Sequence, residues 1–311
     1  MNRSDWDEVI ATANAHLLGP HLYHQILKSG RLDQVDPEAV EYLGSQAAAN
    51  HERSRRLLAQ LDEAASAMND VGVIPLAIKG MAALLQSDRV EEFPRIVRDV
   101  DLLIGKAEAA PVDRALSDLG YDAERVEEGG HSVGNYVRCD AVGVLDLHIR
   151  LPRRVALVVT MDDLMSRARE ARLANSVVRI PDASAHVAIN LAHDMIHNRC
   201  MYSGIMDLGY LVELVQFIGE RGDEIDQPWI EQKQKIRRFG LSVEMQARMA
   251  RHLFGSASFI ASESSALGWA LHHRRRLKTR FAPIDRLDTA LFERIYPAIQ
   301  SIRRSRAGRG D

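Results

Sequence analysis

The sequence predicts an α+β protein with a small mixed β-sheet core, an N-terminal helical arm and a C-terminal helical domain. Helical periodicity dominates the two ends of the chain, whereas short apolar runs typical of strands are concentrated in the middle. The length of 311 residues is about twice that of a typical single domain, which agrees with several folding units. We therefore expect the arm at 1–70, the core at 71–180 and the helical domain, with a basic tail, at 181–311.

The first 70 residues favour two helices, over 4–28 and over 37–70. Apolar residues recur at three- and four-residue steps along the second segment, as on the buried face of a helix. Asp36 and Pro37 are typical of a helix start, because aspartate can cap free N–H groups and proline suits the first helical position.

The middle of the chain contains the short apolar segments expected of strands. They span 73–78, 97–104, 121–127, 133–139 and 142–151. A short helix of small residues is expected after the first strand, and a longer one over 107–119 that ends before Gly120. From residue 181 onward the predicted helices span 182–197, 205–220, 227–238, 241–254, 262–278 and 285–303.

Composition excludes several classes of protein. A net charge of -3 with 46% hydrophobic residues is that of a folded chain, not of a disordered or collagen-like one. The longest apolar runs fall short of a membrane span and the N-terminus lacks a signal-peptide pattern, so we expect a cytoplasmic protein without membrane contact. Two cysteines, Cys139 and Cys200, are too few for a disulfide framework.

Positive charge is concentrated at the C-terminal end. Residues 269–311 contain eleven Lys or Arg and four Asp or Glu, a local charge of +7. Such a segment is typical either of a solvated helix face with a loose tail or of a surface for an anionic partner such as RNA. The stretch 272–280 lacks the interleaved aromatic side chains that stack on bases, so RNA is the less favoured partner.

Two carboxylates occur in the predicted strand 97–104. Asp99 and Asp101 project from one face of it, because side chains alternate along a strand. Two such carboxylates repel each other and lose hydration, which a fold tolerates when a cation, an arginine or exposure at the strand end compensates. The pattern therefore indicates either a metal site or ion pairs with Arg95 and Arg98.

A third carboxylate, Asp146, lies in the predicted strand 142–151, with His148 two residues later on the same face. If this strand lies beside the one that carries Asp101, the carboxylates converge. Carboxylate oxygens favour Mg²⁺ or Mn²⁺, and a cluster of them suits two-metal phosphoryl or nucleotidyl transfer. His148 is expected either to hold Asp146 in place or to pack within the strand, and it is also a candidate cofactor-binding residue.

Lys79 and Gly80 stand at a predicted strand-to-helix junction. Glycine lets the backbone approach a ligand closely, and a helix N-terminus offers free N–H groups to an anion. Lysine adds a positive charge that suits a phosphate. The position of this pair upstream of the carboxylates indicates a phosphate contact.

Three segments in this order carry a resemblance to a known family: IPLAIKGMAALL, RIVRDVDLLI and LDLHIRL. Together they resemble the uncharacterised bacterial nucleotidyltransferase family of the DNA polymerase β-like nucleotidyltransferase superfamily. Two later segments, HVAINLAHDMIHNR and GIMDLGYLVEL, resemble the helical part that follows the core in that family. The resemblance spans about residues 73–254.

The resemblance implies a nucleotidyltransferase-type mixed sheet with helices behind it, and a metal-binding triad of Asp99, Asp101 and Asp146. It also implies that Lys79 and Gly80 meet the nucleotide phosphates. The chain departs from the pattern at two places. The wider superfamily usually has Gly-Ser or Gly-Gly at Lys79-Gly80, and the family often has glycine where this chain has Arg98.

These features together predict a Mg²⁺- or Mn²⁺-dependent enzyme that moves a nucleoside monophosphate from a nucleoside triphosphate to an unidentified acceptor. A small molecule or a peptide is the favoured acceptor class, ahead of RNA. Arg95 or Arg98 would balance charge on the leaving pyrophosphate, and Asp146 would help to deprotonate the acceptor hydroxyl. The alternatives are an inactive nucleotide-binding or regulatory module of the same fold and, less favoured, a metal-dependent phosphohydrolase.

One further motif, His193-Asp194-Met195-Ile196-His197, resembles the zinc-protease pattern H-E-x-x-H. Aspartate replaces the glutamate that acts as general base and is one methylene shorter, which disfavours a protease. His193 and His197 are expected to be core or interdomain histidines, with contact to nucleotide or acceptor as the alternative.

Overall fold

The structure is a computed structural model, and it describes residues 3–125, 131–255, 260, 264–281, 283–286, 288–290 and 292–293. The end of the predicted strand 121–127, the start of the predicted helix 262–278 and most of the predicted helix 285–303 lie outside these residues. The basic tail after residue 303 also lies outside them.

The described residues form one seven-stranded mixed sheet. Its strands are β1 (Leu76–Ala77), β2 (Val100–Leu103), β3 (Asp122–Arg125), β4 (Ser132–Val137), β5 (Leu145–His148), β6 (Ala168–Arg172) and β7 (Val177–Pro181). The spatial order is β3-β4-β5-β2-β1-β7-β6. The pairs β2–β5 and β1–β7 are parallel and the remaining pairs are antiparallel. This mixed sheet, together with the helices, confirms the predicted α+β class.

The five predicted strands all occur, the four that lie wholly within the described residues are shorter than predicted, and two strands are missing from the prediction. β6 (AREAR) is one of the two edge strands and carries charged, largely exposed side chains, so it has no apolar run to reveal it. β7 is buried beside β1, but Arg179 interrupts its short apolar pattern.

Twelve α-helices are described. They are α1 (Arg3–Ala15), α2 (Gly19–Ser29), α3 (Pro37–Asp70), α4 (Lys79–Leu85), α5 (Ala109–Asp118), α6 (Met161–Ser166), α7 (Ala183–Leu191), α8 (Cys200–Ser203), α9 (Leu208–Arg221), α10 (Gln227–Gln234), α11 (Arg237–Phe254) and α12 (Ala266–Arg280). Short 3₁₀ turns lie at Leu32–Gln34, Val90–Glu92, Lys106–Glu108 and Gly222–Glu224. A π-helical turn, Ala192–His197, directly follows α7.

The N-terminal helices agree with the prediction in one case and depart from it in the other. α3 has the predicted bounds, and Asp36 caps it by accepting a hydrogen bond from the Glu38 N–H at 2.9 Å. A single helix over 4–28 is wrong: Leu17 has a left-handed φ of 57°, and Pro20 lies in the first turn of a second helix. Proline lacks an N–H and disfavours a helical residue before it, so the helix breaks here.

Residue contacts divide the chain into two compact units. The first contains Met1–Asn190 and Leu208–Gln227, and the second contains Leu191–Asp207 and Pro228–Asp311. Within the first unit α3 and the sheet share one hydrophobic core, in which the fully buried Leu57 and Leu61 join strand residues such as Leu102. α3 therefore helps to bury one face of the sheet.

Asp62 of α3 fixes the turn between β6 and β7. This buried carboxylate accepts hydrogen bonds from the Asn175 N–H at 3.0 Å and from the Ser176 hydroxyl at 2.7 Å. Burial alone would raise the pKa of Asp62, but the hydrogen bonds from Ser176 and Asn175 outweigh it and hold the pKa below its ordinary value.

We expect Asp62→Asn to lower the free energy of unfolding at pH 7 by about 1 kcal/mol, because a charged acceptor becomes a neutral one. A carboxyl with a lowered folded-state pKa stabilises the fold above about pH 4, and the contribution is lost as the pH falls through the folded pKa. Urea unfolding should therefore show a difference that is largest near neutral pH and shrinks at acid pH. Asp70→Asn, at the exposed end of the same helix, is the control; an equal difference at every pH would contradict the prediction.

Candidate active site

The register of two parallel strands brings Asp101 and Asp146 together. β2 and β5 pair so that Asp101 lies opposite Asp146 and Leu103 lies opposite His148. The Val100 N–H donates to the Val144 carbonyl at 2.8 Å. Because paired residues of neighbouring strands project to the same face, the two carboxylates lie side by side. This is the arrangement expected if the two strands are neighbours.

His148 lies between the two carboxylates. Its Nε2 is 3.2 Å from Asp101 Oδ1 and 3.1 Å from Asp146 Oδ2. Both neighbours are acceptors, so Nε2 carries the proton and donates it to them. The imidazole is 1% exposed and stacks on the His131 ring with centroids 5.4 Å apart. Of the two sequence alternatives for His148, the one in which it holds Asp146 in place agrees with these contacts.

Asp146 has a second partner, the Ser132 hydroxyl, which donates to Oδ1 at 2.8 Å. Ser132 begins β4 and lies opposite His148 in the antiparallel register of β4 and β5. Burial would raise the pKa of Asp146, but the hydrogen bond and charge of His148 and the bond from Ser132 hold it below its ordinary value. Asp146 is therefore an ionised, oriented carboxylate.

Lys79 supplies the charge next to Asp101. Its Nζ donates to Asp101 Oδ1 at 2.5 Å, and the two side chains are 18% and 11% exposed. Burial would raise the pKa of Asp101, but the hydrogen bonds from His148 and Lys79 hold it below its ordinary value. Lys79 has a left-handed φ of 52° at the start of α4, which is rare for a residue other than glycine.

Asp99 immediately precedes β2 and is more exposed than its two companions. Loss of hydration, followed by repulsion from Asp101, raises its pKa above the ordinary value. Among the described residues, the ligand atoms that lie within 4.8 Å of one another come from Asp101, Asp146 and His148. Asp99 thus interacts electrostatically with this group without being part of its closest contacts.

Gly80 and Arg95 meet at the first turn of α4. A Cβ at Gly80 would lie 3.3 Å from Arg95 Cζ and 3.3 Å from Val97 Cγ1, so the absence of a side chain allows this close approach. Arg95 forms an ion pair with Glu213 of α9 and lies 5.7 Å from the centre of the Tyr210 ring. Arg95 therefore lies near Gly80, for which the sequence predicts a phosphate contact, but it already has an acidic partner.

Arg95 also lines a cleft of about 350 Å³ between α2, the end of α4 and α9. Ion pairs within its wall join Arg95 to Glu213 and Arg221 to Asp88. Its charged lining is balanced, since four Lys or Arg face four Asp or Glu.

Arg98 is exposed, and its positive charge offsets part of the rise in the pKa of Asp99. Its carbonyl accepts a hydrogen bond from Arg53 Nη2 at 2.7 Å, and the Val97 carbonyl accepts one from Arg53 Nε at 2.8 Å. Arg53 of α3 thereby holds the segment that leads into Asp99. Arg53 could not be identified from the sequence, because a helical run of charged residues does not show which segment each side chain will contact.

The H-D-x-x-H motif lies in the second unit, within the π-helical turn. Asp194 is 2% exposed and accepts a hydrogen bond from Gln246 Nε2 at 3.0 Å. Burial raises its pKa to about 6. The rings of His193 and His197 contact each other with centroids 5.0 Å apart. Both imidazoles are only half-buried, so neither is a fully buried core histidine, and their role stays a prediction.

Several basic side chains of α12 are used inside the protein. Arg275 is 1% exposed and donates to Gln246 Oε1, while Lys278 is 5% exposed and pairs with Asp288 at 2.9 Å. Arg274 also pairs with Asp288. Three of the basic side chains of α12 are thus neutralised or buried.

Within the described part of the chain, helices are too short or too polar to cross a bilayer.

Comparison with known proteins identifies the chain at the level of the family. No curated protein matches the sequence. The solution structure of the antibiotic-resistance factor ANT(2'')-Ia matches with a TM-score of 0.32 and 11% identity over 80% of this chain and 97% of that one, a likeness that carries no part of the assignment. A family model described as an uncharacterised nucleotidyltransferase matches residues 2–255. This confirms the resemblance seen in the three core segments, and the chain belongs to this family of uncharacterised nucleotidyltransferases.

Proposed function

We propose that this nucleotidyltransferase uses Mg²⁺ or Mn²⁺, held by Asp101 and Asp146 with Asp99 beside them, to move a nucleoside monophosphate to a hydroxyl-bearing acceptor. The observation that carries the proposal is the parallel register of β2 and β5, which pairs Asp101 with Asp146. Two buried or half-buried carboxylates side by side are unfavourable without a compensating cation. Their presence in a chain of this family supports a metal-dependent transfer.

The donor atoms fit a small divalent ion. Oxygen atoms around one Mg²⁺ lie about 2.1 Å from it, so ligand atoms on one ion are about 3 to 4 Å apart. Carboxylate oxygens of Asp101 and Asp146 lie within 4.8 Å of each other, whereas His148, which donates its Nε2 proton to both, orients them and is not itself counted as a ligand. Carboxylates from two adjacent strands are the ligand type that Mg²⁺ and Mn²⁺ prefer.

The residues of the chain have separate roles in this proposal. The metal, when bound, would neutralise phosphate charge and lower the pKa of the attacking hydroxyl. Ser132 and His148 orient Asp146, so that its carboxylate can accept the hydroxyl proton. Lys79 provides a positive charge for the phosphates, whereas the buried Gly80 lets Arg95 pack closely against the first turn of α4. Arg95 can add charge for pyrophosphate only when its pair with Glu213 opens.

The proposal is tested by calorimetric titration with each of the four nucleoside triphosphates, in the presence and absence of Mg²⁺. We expect at least one to bind about tenfold or more tightly with Mg²⁺, because the ion neutralises both the carboxylates and the phosphates. Small hydroxyl compounds, peptides and RNA are then added as acceptors, and pyrophosphate release is measured. No binding of any nucleotide, even with acceptors present, would contradict the proposal.

The same experiment distinguishes the alternative from another class, a nucleotide-binding or regulatory module without transfer. Such a module would bind nucleotide but release no pyrophosphate with any acceptor. The ion pair between Lys79 and Asp101 is the observation that favours this alternative, because the ammonium group occupies a carboxylate that transfer would require.

A further inference from the structure

We propose that Lys79 is a built-in counter-ion that occupies Asp101 when no metal is bound, and that a divalent ion must compete with its ammonium group for this carboxylate. The inference rests on the proposed metal site and adds a regulatory element to it. The metal would bind weakly by itself and more tightly once an anionic phosphate offers Lys79 another partner.

The contacts of Asp101 support this competition. Oδ1 of this carboxylate accepts from Lys79 Nζ at 2.5 Å and from His148 Nε2 at 3.2 Å. A carboxylate that is 8% exposed as a residue is costly without a positive partner, and Lys79 meets that need. A divalent ion at the same oxygen would face a like charge at close range, so Lys79 must withdraw or the ion must bind against its repulsion.

Lys79 acts on the whole acidic group rather than on one carboxylate. Its ammonium group contacts Asp101 directly, and its positive charge also acts on Asp99 and Asp146. A single ammonium group thus offsets charge on the three residues to which the metal is assigned. Removing it should leave the group more negative and more attractive to a free cation.

The backbone of Lys79 is a second, independent indication. The residue before it, Ile78, donates its N–H to the Asp101 carbonyl at 3.1 Å, and Lys79 then adopts a left-handed φ of 52°. That conformation is unfavourable for a residue with a Cβ, and glycine would adopt it without strain. A strained lysine whose ammonium reaches a buried carboxylate is typical of a residue kept for its charge, not for its fit to the turn.

The test measures Mn²⁺ binding to the full chain without nucleotide, from the electron paramagnetic resonance signal of free Mn²⁺. The variants are Lys79→Met and Lys79→Gly, which both remove the ammonium, while the glycine also suits the left-handed backbone. We expect both to bind Mn²⁺ about tenfold or more tightly than the wild type, because a like charge has been removed. Lys28→Met, which removes an exposed lysine of α2, should leave the affinity unchanged.

Asp101→Asn in the same titration separates the two levels of the proposal. If this variant loses Mn²⁺ binding while both Lys79 variants bind as the wild type does, the metal site stands and the role of Lys79 is wrong. If no protein in the series binds Mn²⁺ saturably, the metal site itself is wrong. Should Lys79→Met fail to fold, Lys79→Gly decides the question alone.

Discussion

Replacing Asp101 by asparagine is expected to lower the rate of nucleotidyl transfer about 10³-fold. The change keeps the shape of the side chain but removes the negative charge that Lys79, His148 and the proposed metal share. Metal ions contribute several kcal/mol to such reactions, and about 1.4 kcal/mol corresponds to a tenfold change in rate. Pyrophosphate release in the presence of the acceptor, at saturating Mg²⁺, is the measurement.

A matched control for this variant is Asp122→Asn. Asp122 lies exposed on the edge strand β3 of the same sheet and should retain full activity. Circular dichroism of both proteins establishes whether the fold is intact. An Asp101→Asn protein that folds and keeps more than a tenth of the wild-type rate would refute the assignment of Asp101 as a metal ligand.

The second large effect is expected at Gly143, in the loop that leads into β5. Replacing it by alanine should lower the free energy of unfolding by about 3 kcal/mol, the upper end for adding a group to a packed site. The new Cβ would lie 2.7 Å from Leu57 Cδ2 and 2.8 Å from the Arg98 carbonyl oxygen. The carbonyl belongs to the backbone and has little freedom to move, so β2 and β5 must separate or α3 must shift.

Urea unfolding measures this effect, and Gly219→Ala is its matched control. Gly219 lies within α9, and a Cβ there meets no atom within 4 Å. Alanine in the interior of a helix is favoured over glycine, so this variant should be more stable by about 0.5 to 1 kcal/mol. If the two variants proved equally stable, the tight packing of residue 143 would be incorrect.

Helix starts and strand positions that depend on neighbouring residues could be predicted from the sequence. Asp36 and Pro37 place the start of α3 correctly, because capping requires only neighbouring residues. The alternation of polar and apolar residues places Asp101 and Asp146 on strands. The break between α1 and α2 is missed although Pro20 signals it, since the apolar pattern continues across the break.

Features that depend on contacts between distant segments could not be predicted. Nothing in the segments around Asp101 and Asp146 specifies that their strands are neighbours, that they are parallel, or which residues pair. The same holds for Ser132, whose hydroxyl reaches Asp146 only because β4 lies antiparallel to β5. The charge of Lys79 was assigned to phosphate from its position in the sequence, whereas in the fold it meets Asp101.

The parallel register of β2 and β5 has a consequence for how this protein can vary. Side chains alternate between the two faces of a strand, so a deletion or insertion of one residue before Leu145 would turn both Asp146 and His148 to the opposite face. The loop cannot easily absorb such a change, because Gln60 of α3 binds both the N–H and the carbonyl of Gly143. Substitutions in this loop can weaken the site by degrees. A change in the length of the loop would instead turn Asp146 and His148 away from the face of the sheet that carries Asp101.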